Sequence, residues 1–258
     1  ITFDAAPTHR LDTVTGEWEA LAGTAAMPVK LGPRGHLLLL SGTPGRSTGG
    51  RTETRPVSLS DPRIPPLGPN VLVLDYCDLV TPSLELRDVA TSVADDRHWQ
   101  AQGLSRNPWW FAIQFRRNTL ERTFPEPARP EWSYSFHVAG AKPWPLRLAV
   151  ERAELFLVRV NGELVEGCRA ERWLDENILV LDITPFVRPG GNRVTLSPRR
   201  LTTECEIAPV YVLGDFHLVP AARGFEIPPP RQPVPGDWTR NGRPFDSGWL
   251  RYEWDFVL

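Results

Sequence analysis

The sequence predicts an all-β protein, an antiparallel β-sandwich or jelly roll, on three observations. Its 258 residues include 27 prolines and 20 glycines, and proline is excluded from helix interiors and from central strands. In several segments polar and apolar residues alternate with a period of two, which is the pattern of a half-buried strand. These segments recur at a spacing of roughly 8–12 residues with turn residues between them, as in sandwiches and barrels.

Residues 1–41 are predicted to be the terminal strands of a preceding, smaller β-sandwich domain. Glu17 to Leu21 alternate polar and apolar side chains, and Leu37 to Leu40 form an apolar run short enough for a buried strand. The chain begins at Ile1 rather than at a methionine, and it ends in a strand-like alternation. We therefore expect it to be a fragment of a longer protein.

Residues 42–56 are predicted to be a flexible linker that joins this domain to the main domain, residues 57–258. Glycine, threonine, arginine, proline and serine make up almost all of the stretch, and such a composition gives a flexible chain. Its glycines do not form a GxGxxG pattern after a strand, and no Lys-Ser or Lys-Thr follows them. A phosphate-binding loop is therefore not predicted here.

The main domain carries the strongest strand signals. Asn70 to Leu79 is one such segment. From Trp132 to Val138 the apolar residues alternate with polar ones, which places one apolar set on the core face of a strand. Leu155 to Val160 runs into Asn161-Gly162, a pair that suits a type I′ hairpin turn because both positions need a positive φ.

Other parts of the main domain are predicted to be less regular. Residues 81–131 are richer in charge, and Trp110 to Leu120 is the part where a helix is expected. Thr184 to Val187 has the form of a single helical turn with proline at its first position. Asp182 and Asn192 are predicted to brace turns through bonds from side chain to backbone.

The charge of the chain bears on its partners, and its cysteines bear on disulfide bonding. The net charge is −2 and the basic residues are scattered, so neither nucleic acid nor an anionic membrane is expected as a partner. No apolar run approaches the length of a transmembrane helix. Cys77, Cys168 and Cys205 lie far apart in the chain, which leaves either one disulfide or buried free thiols.

Two consecutive motifs between Glu151 and Leu196 carry a resemblance to a known family. Leu155 to Val165 (LFLVRVNGELV) precedes Leu181 to Val194 (LDITPFVRPGGNRV). This pair resembles the sugar-binding, galactose-binding-like jelly-roll domain of glycoside hydrolase family 2, where a strand ending in V-N-G precedes a D-I-T-x-x-V-x-x-G-x-N segment. The pairing also occurs in other galactose-binding-like sandwiches.

Further segments resemble large bacterial proteins similar to family 106 α-L-rhamnosidases. Three of these segments resemble the C-terminal part of such proteins, namely Asn70–Tyr76, Tyr211–Phe216 and Asp237–Tyr252. Asp12–Trp18 and Pro33–Leu40 resemble the small β-sandwich that follows the catalytic barrel. In that family a (β/α)₈ barrel with paired carboxylates performs catalysis, and no barrel can be read in this chain.

The resemblance implies a non-catalytic accessory region of a bacterial glycoside hydrolase, which binds carbohydrate or acts as a scaffold. Its partners would be an oligosaccharide or polysaccharide and the catalytic domain of the same polypeptide, in a secreted, periplasmic or cytoplasmic protein. Two alternatives remain. One is a fragment that contributes to a glycosidase active site, and the other is a purely structural module that braces a catalytic barrel.

Sugar sites on sandwiches usually combine an exposed aromatic face with polar side chains that bind hydroxyl groups. The candidates are therefore aromatic residues in polar, irregular segments and the polar residues beside them, namely Trp109, Trp110, Trp173, Asp175 and Asn177. For Trp109 and Trp110, packing in the core or at a domain interface is the alternative. Asp215 lies in a strand-like apolar run, which implies a structural carboxylate or one that lines a pocket.

The sequence gives no motif for catalysis or for a cofactor. The five histidines are dispersed, and HExxH, GxSxG and Cys–His patterns are absent. Glu151 with Glu154, or Asp95 with Asp96, would be a glycosidase pair only if the fold separated the carboxylates correctly across a cleft. No cofactor is expected. A structural calcium ion, common in carboxylate-rich loops of such sandwiches, is the one alternative, although no DxDxDG-type loop is present.

Overall fold

A computed structural model of the protein describes residues 7–13, 16–21, 29, 31, 36–41, 61–65, 68–124, 130–140, 144–166, 171–246 and 248–255. The chain divides into two compact units, Ile1–Ser58 and Leu59–Leu258. The predicted linker, residues 42–56, lies outside the described residues, and so does Cys168.

The first unit contains a three-stranded antiparallel sheet. Strand β1 (His9–Leu11) lies between β2 (Trp18–Ala20) and β3 (Leu38–Leu40). The strand predicted near Leu40 is therefore confirmed, but its predicted burial is wrong, since Leu38 and Leu40 are both exposed. Leu37 and Leu39 are half-buried, so the two faces of this strand differ in exposure.

The second unit is made mostly of strands, with few helical residues. Its strands are β4 (Asn70–Leu74), β5 (Tyr76–Val80), β6 (Glu85–Ala90), β7 (Glu131–Val138), β8 (Leu146–Glu151), β9 (Phe156–Val160), β10 (Glu163–Leu164), β11 (Arg172–Trp173), β12 (Asp175–Asp182), β13 (Gly190–Pro198), β14 (Val210–Gly214), β15 (Val219–Pro220) and β16 (Phe225–Ile227). Its helices are α1 (Thr91–Ala101) and α2 (Arg117–Leu120), with 3₁₀ turns at Pro108–Trp110, Ile113–Phe115 and Ala153–Leu155.

These strands form two sheets. The five-stranded sheet has the order β11-β12-β8-β14-β4, and all of its pairs are antiparallel. The eight-stranded sheet has the order β10-β9-β13-β7-β16-β15, and β5 also pairs with β7 and carries β6 on its other side. Among the described strands only β16 and β7 are parallel.

The two sheets enclose one hydrophobic core. On β7 the side chains of Trp132, Tyr134, Phe136 and Val138 are all buried, as their alternation predicts. Side chains of the five-stranded sheet, such as Leu148, belong to the same cluster. Burying one such side chain stabilises the fold by roughly 1.5–3 kcal/mol. The predicted class, an all-β antiparallel sandwich, is confirmed.

The helical segments differ from the prediction. A helix expected from Trp110 to Leu120 is present only as the 3₁₀ turn at Ile113–Phe115 and the four-residue α2. The longer α1 (Thr91–Ala101) was not predicted. Segment 108–120 is held by few core contacts, since Pro108 and Ile113 are its buried residues.

The predicted turns are present. Asn161 and Gly162 have φ values of 54° and 91°, and the flanking Val160 and Glu163 pair across the hairpin. The backbone N–H groups of Phe186 and Val187 both donate to the carbonyl oxygen of Ile183, which closes the predicted helical turn.

Asp182 and Asn192 act on the backbone as predicted. An Asp182 carboxylate oxygen accepts from the backbone N–H of Thr184 at 3.0 Å. Asn192 accepts from the backbone N–H of Arg188 at 2.9 Å and donates to the Arg188 carbonyl oxygen at 2.8 Å. Both residues therefore stabilise the connection between β12 and β13.

Cys77 and Cys205 are buried free thiols. Burial, with a smaller effect of Asp78 and Asp95, raises the pKa of the Cys77 thiol to about 12. It therefore stays protonated and poorly nucleophilic at neutral pH. No described helix is both long and apolar enough to cross a membrane.

Candidate functional site

Loops at one end of the sandwich enclose a cavity of about 280 Å³, which we call the end cavity. Its floor is apolar, with Phe156 and Ala208. One exposed indole and five polar or charged side chains surround this floor, and they are Trp109, Glu151, Arg152, Asn177, Glu204 and Glu206.

Three connections bring these residues together. Glu151 and Arg152 lie where the chain leaves β8 of one sheet for β9 of the other. Asn177 lies on β12, one position before the pair that Ile178 makes with Glu151. Glu204 and Glu206 come from the connection between β13 and β14, which also crosses between the sheets. The cavity is thus a product of tertiary structure.

Trp109 is held at the rim by its neighbour Asn107. Asn107 precedes the 3₁₀ turn Pro108–Trp110, and its side chain accepts from the Trp109 backbone N–H at 2.8 Å. Asparagine before a turn with proline at its first position is a favoured helix start. The Trp109 indole nitrogen donates to the Thr203 carbonyl oxygen at 2.7 Å, and the side chain remains 40% exposed.

Arg152 connects two walls of the end cavity. Its φ of 49° is in the left-handed region, which costs a non-glycine residue about 1 kcal/mol or more. In this conformation its backbone N–H donates to the Asn177 carbonyl oxygen at 2.8 Å. Its guanidinium donates to both carboxylate oxygens of Glu204, at 3.1 and 3.4 Å, and to Glu154 at 3.0 Å.

Buried polar groups support the cavity from behind. The Asn107 side-chain amide donates to Asp95 at 2.7 Å and also to Glu206. Burial raises the pKa of Glu206, the bond from Asn107 opposes this rise, and the nearby Glu151 charge adds to it. Burial likewise raises the pKa of Asp95 to about 6. Glu206 therefore holds its proton to a higher pH than an exposed glutamate.

Two of the five candidate residues from the sequence, Trp109 and Asn177, line the end cavity. Asp175 is exposed nearby and accepts from the Asn177 backbone N–H at 2.8 Å. Trp110 is 64% exposed outside the cavity, where it stacks against Arg106. Trp173 packs against Tyr211 on the outer face of the five-stranded sheet, with ring centroids 5.0 Å apart.

Other carboxylates considered from the sequence have different surroundings. Asp215 is exposed just after β14 ends at Gly214, and it lines a cavity of about 370 Å³, which agrees with the pocket alternative. Glu154 pairs with Arg152 and lies outside the end cavity, whereas Glu151 lines it. Asp95 is buried behind the cavity.

Sequence reasoning missed Asn107, Arg152, Glu204 and Glu206. Asn107-Pro108 is a recognisable start of a helical turn, so the position of Asn107 could have been found. The other three have no local signal, because only the crossing of the loops between sheets makes them neighbours. Among the described residues no group of three or more His, Cys, Asp or Glu side chains has an arrangement that could hold a metal ion.

No protein-family model matches the chain, and no curated protein matches its sequence.

Proposed function

We propose that this chain is a non-catalytic carbohydrate-binding region of a bacterial glycoside hydrolase similar to an α-L-rhamnosidase, with the end cavity as its sugar site. The observation that carries this proposal is the position of Trp109 and Asn177. Both are candidate sugar ligands by residue type and sequence context, and both line one cavity although they lie far apart in the chain. The family resemblance of the two motifs between Glu151 and Leu196 supports the same function.

The chemistry of the end cavity suits a sugar ring. The bond from the Trp109 indole nitrogen to Thr203 orients the indole, whose exposed surface is available to the apolar face of a pyranose. Carboxylate, amide and guanidinium groups around it can bind hydroxyl groups, and bonds to charged partners are the stronger ones. A volume of about 280 Å³ lies just below the usual range of ligand pockets, which fits one sugar ring better than a chain.

The charge of the cavity selects among sugars. Of the described residues that line it, three are carboxylates and one is a guanidinium, so the negative groups are in excess. An acidic sugar would meet like charges at close range, which costs binding energy. Neutral sugars, such as rhamnose and galactose, are therefore the proposed ligands, and uronic acids are disfavoured.

Calorimetric titration tests the proposal. L-rhamnose, D-galactose and neutral oligosaccharides that contain them should bind the purified chain, and galacturonic acid should bind more weakly. Trp109→Ala should weaken binding about tenfold or more, because it removes the stacking surface. Trp110→Ala is the matched control, since Trp110 is the more exposed of the two and lies outside the cavity.

Two results would contradict the sugar site. One is equal loss of binding in the Trp109 and Trp110 variants, and the other is the absence of binding to any saccharide on a glycan array. In the second case the scaffolding role would be favoured. Its support is an exposed apolar surface next to the cavity, which includes Trp110 and the 83% exposed Phe115 and would suit contact with a catalytic domain.

A glycosidase activity is a second candidate, supported by the carboxylates of the end cavity. Glu206 has a raised pKa, as a general acid needs, and Glu151 is close enough for its charge to add to that rise. Incubation with chromogenic α-L-rhamnosides and β-galactosides tests this candidate. Turnover that is lost in both Glu206→Gln and Glu151→Gln, while sugar binding persists, would establish it in place of the non-catalytic role.

A further inference from the structure

The eight-stranded sheet is split along one edge of β7. Strand β5 pairs with this edge at Glu131, Trp132 and Ser133. Strand β16 pairs with it at His137 and Val138. Between these two pairings, the three residues from Tyr134 to Phe136 have no strand partner on this edge among the described residues. The hairpins β5–β6 and β15–β16 therefore do not pair with each other along this edge and leave an opening in the sheet, which Arg223 spans by pairing with Asp88.

A cavity of about 930 Å³ occupies this opening and continues over the outer face of β7 and β13, and we call it the sheet cleft. Its floor is made of core residues, among them Leu72, Leu74 and Phe136. An opening that reaches the core from the sheet surface gives an apolar floor with polar walls, which is the usual composition of a ligand site.

Aromatic rings stand on both sides of the opening. Tyr76 is on the side of β5 and is 49% exposed. Phe225 and Phe245 are on the side of β16, and their ring centroids lie 5.3 Å apart in an edge-to-face arrangement. The Arg223 guanidinium lies 4.7 Å from the Tyr76 ring centroid and pairs with Asp88. Arg223 thus covers one face of the Tyr76 ring and restricts its position, while about half of the side chain stays exposed.

The outer face of the sheet supplies polar groups beside these rings. Arg193 on β13 donates to Asp78 on β5 at 3.2 Å, and the backbone N–H of Asp88 also donates to Asp78 at 2.9 Å. This is one of five N–H donors of the Arg193 side chain, which is 45% exposed and makes no other side-chain bond within the described part of the chain. Ser135 on β7 lies opposite Arg193 in the strand register, is exposed and also lines the cleft.

Among the described residues, the aspartates and arginines that line the sheet cleft are equal in number. Its acidic residues are Asp75, Asp78 and Asp88, and its arginines are Arg188, Arg193 and Arg223. A lining of this kind offers no net attraction to an anion or a cation. Paired aromatic walls and planar polar groups that bind hydroxyls instead suit a neutral ligand with both apolar faces and hydroxyl edges, which is the chemistry of a saccharide.

We propose that the sheet cleft is a second carbohydrate site, which takes a neutral oligosaccharide chain. Its volume of about 930 Å³ exceeds the 280 Å³ of the end cavity, and it extends across two strands, so it suits several linked rings. The inference goes beyond the proposed function, because it assigns a separate site that needs no residue of the end cavity. The sheet cleft and the end cavity have only the class of ligand in common.

Ser135→Trp is designed to fill the sheet cleft. Ser135 points out of the sheet, and tryptophan is well tolerated in strands. Ser197→Trp is the matched control, because Ser197 is a half-buried residue at alternate register to the core residues of β13 and does not line the cleft. Thermal unfolding of both variants at the wild-type temperature would show that both remain folded.

The titrations use L-rhamnose and D-galactose alone and neutral oligosaccharides of increasing length. We expect Ser135→Trp to weaken oligosaccharide binding about tenfold or more and to leave monosaccharide binding unchanged. Tyr76→Ala should act in the same direction, and Ser197→Trp should bind as the wild type does. Trp109→Ala should weaken monosaccharide binding about tenfold or more, because it removes the end cavity, and should leave the oligosaccharide binding of the sheet cleft in place.

The outcomes separate the two proposals. Oligosaccharide binding that is unchanged in Ser135→Trp and lost in Trp109→Ala would overturn the second site and leave the proposed function standing. Loss of oligosaccharide binding in Ser135→Trp, with no effect of Trp109→Ala on either monosaccharide or oligosaccharide binding, would support the sheet cleft and remove the end cavity. A cleft that binds extended peptides and no saccharide would overturn the ligand class assigned to it.

Discussion

The indole nitrogen of Trp109 donates to the carbonyl oxygen of Thr203 at 2.7 Å, across a separation of 94 residues. This bond joins the irregular segment after α1 to the connection between β13 and β14. An indole whose nitrogen makes no hydrogen bond can rotate about the side-chain bonds. The bond to Thr203 restricts this rotation. The bond therefore determines which part of the indole the end cavity presents.

Asn107 is the residue on which this arrangement depends, so we predict that Asn107→Ala is both less stable and weaker in sugar binding. The variant loses the turn-starting acceptor for Trp109 and leaves the Asp95 carboxylate with one donor fewer. Such losses cost about 2 kcal/mol together. Chemical denaturation measures the first effect, and titration with the best-binding saccharide measures the second.

Asn118→Ala is the control for that prediction. Asn118 is exposed on α2, and surface substitutions of this kind change stability by roughly 0.5 kcal/mol or less. Equal stability of the Asn107 and Asn118 variants would show that the network behind the end cavity contributes nothing.

The strands and their turns were predictable because their signals are local. The alternation from Trp132 to Val138 specifies which side chains face the core, and Asn161-Gly162 specifies a turn that few other residue pairs adopt. Each signal lies within a few residues and needs no knowledge of the rest of the chain.

Helix α1 was missed for a physical reason. Its buried residues Thr91, Ala94, Asp95, His98 and Trp99 have helical spacing, but two of them are ionisable. The hydrophobic pattern that marks a helix is therefore absent. Ala90 also provides no side-chain cap at its start. Part of the end cavity was missed because its signal is not local. Arg152, Glu204 and Glu206 become neighbours only after the two sheets pack.

The hairpin turn allows a direct test of backbone conformation. Gly162 has a φ of 91° and an added Cβ would meet nothing within 4 Å, so Gly162→Ala isolates the strain of a positive φ. We expect a loss of about 1–2 kcal/mol in unfolding free energy. Gly191→Ala, on the neighbouring strand with equal space and no positive φ, should be nearly neutral. Equal losses in both variants would contradict this account of the turn.

Stability at acid pH should depend on His98, which is fully buried in α1 with neither ring nitrogen bonded within the described part of the chain. Burial lowers its pKa from 6.5 to about 4. The unfolded chain therefore binds this proton at a higher pH than the folded chain, and stability falls as the pH drops through that window. Leucine at this position does not titrate and has a similar volume.

We expect His98→Leu to differ from the wild type by less than about 1.5 kcal/mol at neutral pH. Between pH 6.5 and 4 the variant should gain on the wild type by up to ~3 kcal/mol. Urea denaturation at a series of pH values measures this difference. A difference that stays constant over the window would show that the folded protein protonates His98 as readily as the unfolded chain does.

Asp95, also on α1, should act in the opposite sense. Burial raises its pKa from 3.8 to about 6, against the bonds it accepts from Ile207, Asn107 and Trp99. The folded chain holds this proton more tightly, so the stability that Asp95 contributes is complete below pH 3.8 and is lost as the pH rises through 6. Over the shared window, the effects of Asp95 and His98 oppose each other in the wild type.

Asp95→Asn separates the two effects. The amide cannot accept every bond that the carboxylate accepts, which costs about 1–3 kcal/mol at any pH. Because the variant no longer titrates, its disadvantage should shrink by up to ~3 kcal/mol as the pH rises from 4 to 6. The double variant with His98→Leu should lose both trends. If the disadvantage of Asp95→Asn instead grew with pH, Asp95 would be a carboxylate that the fold stabilises in its charged form.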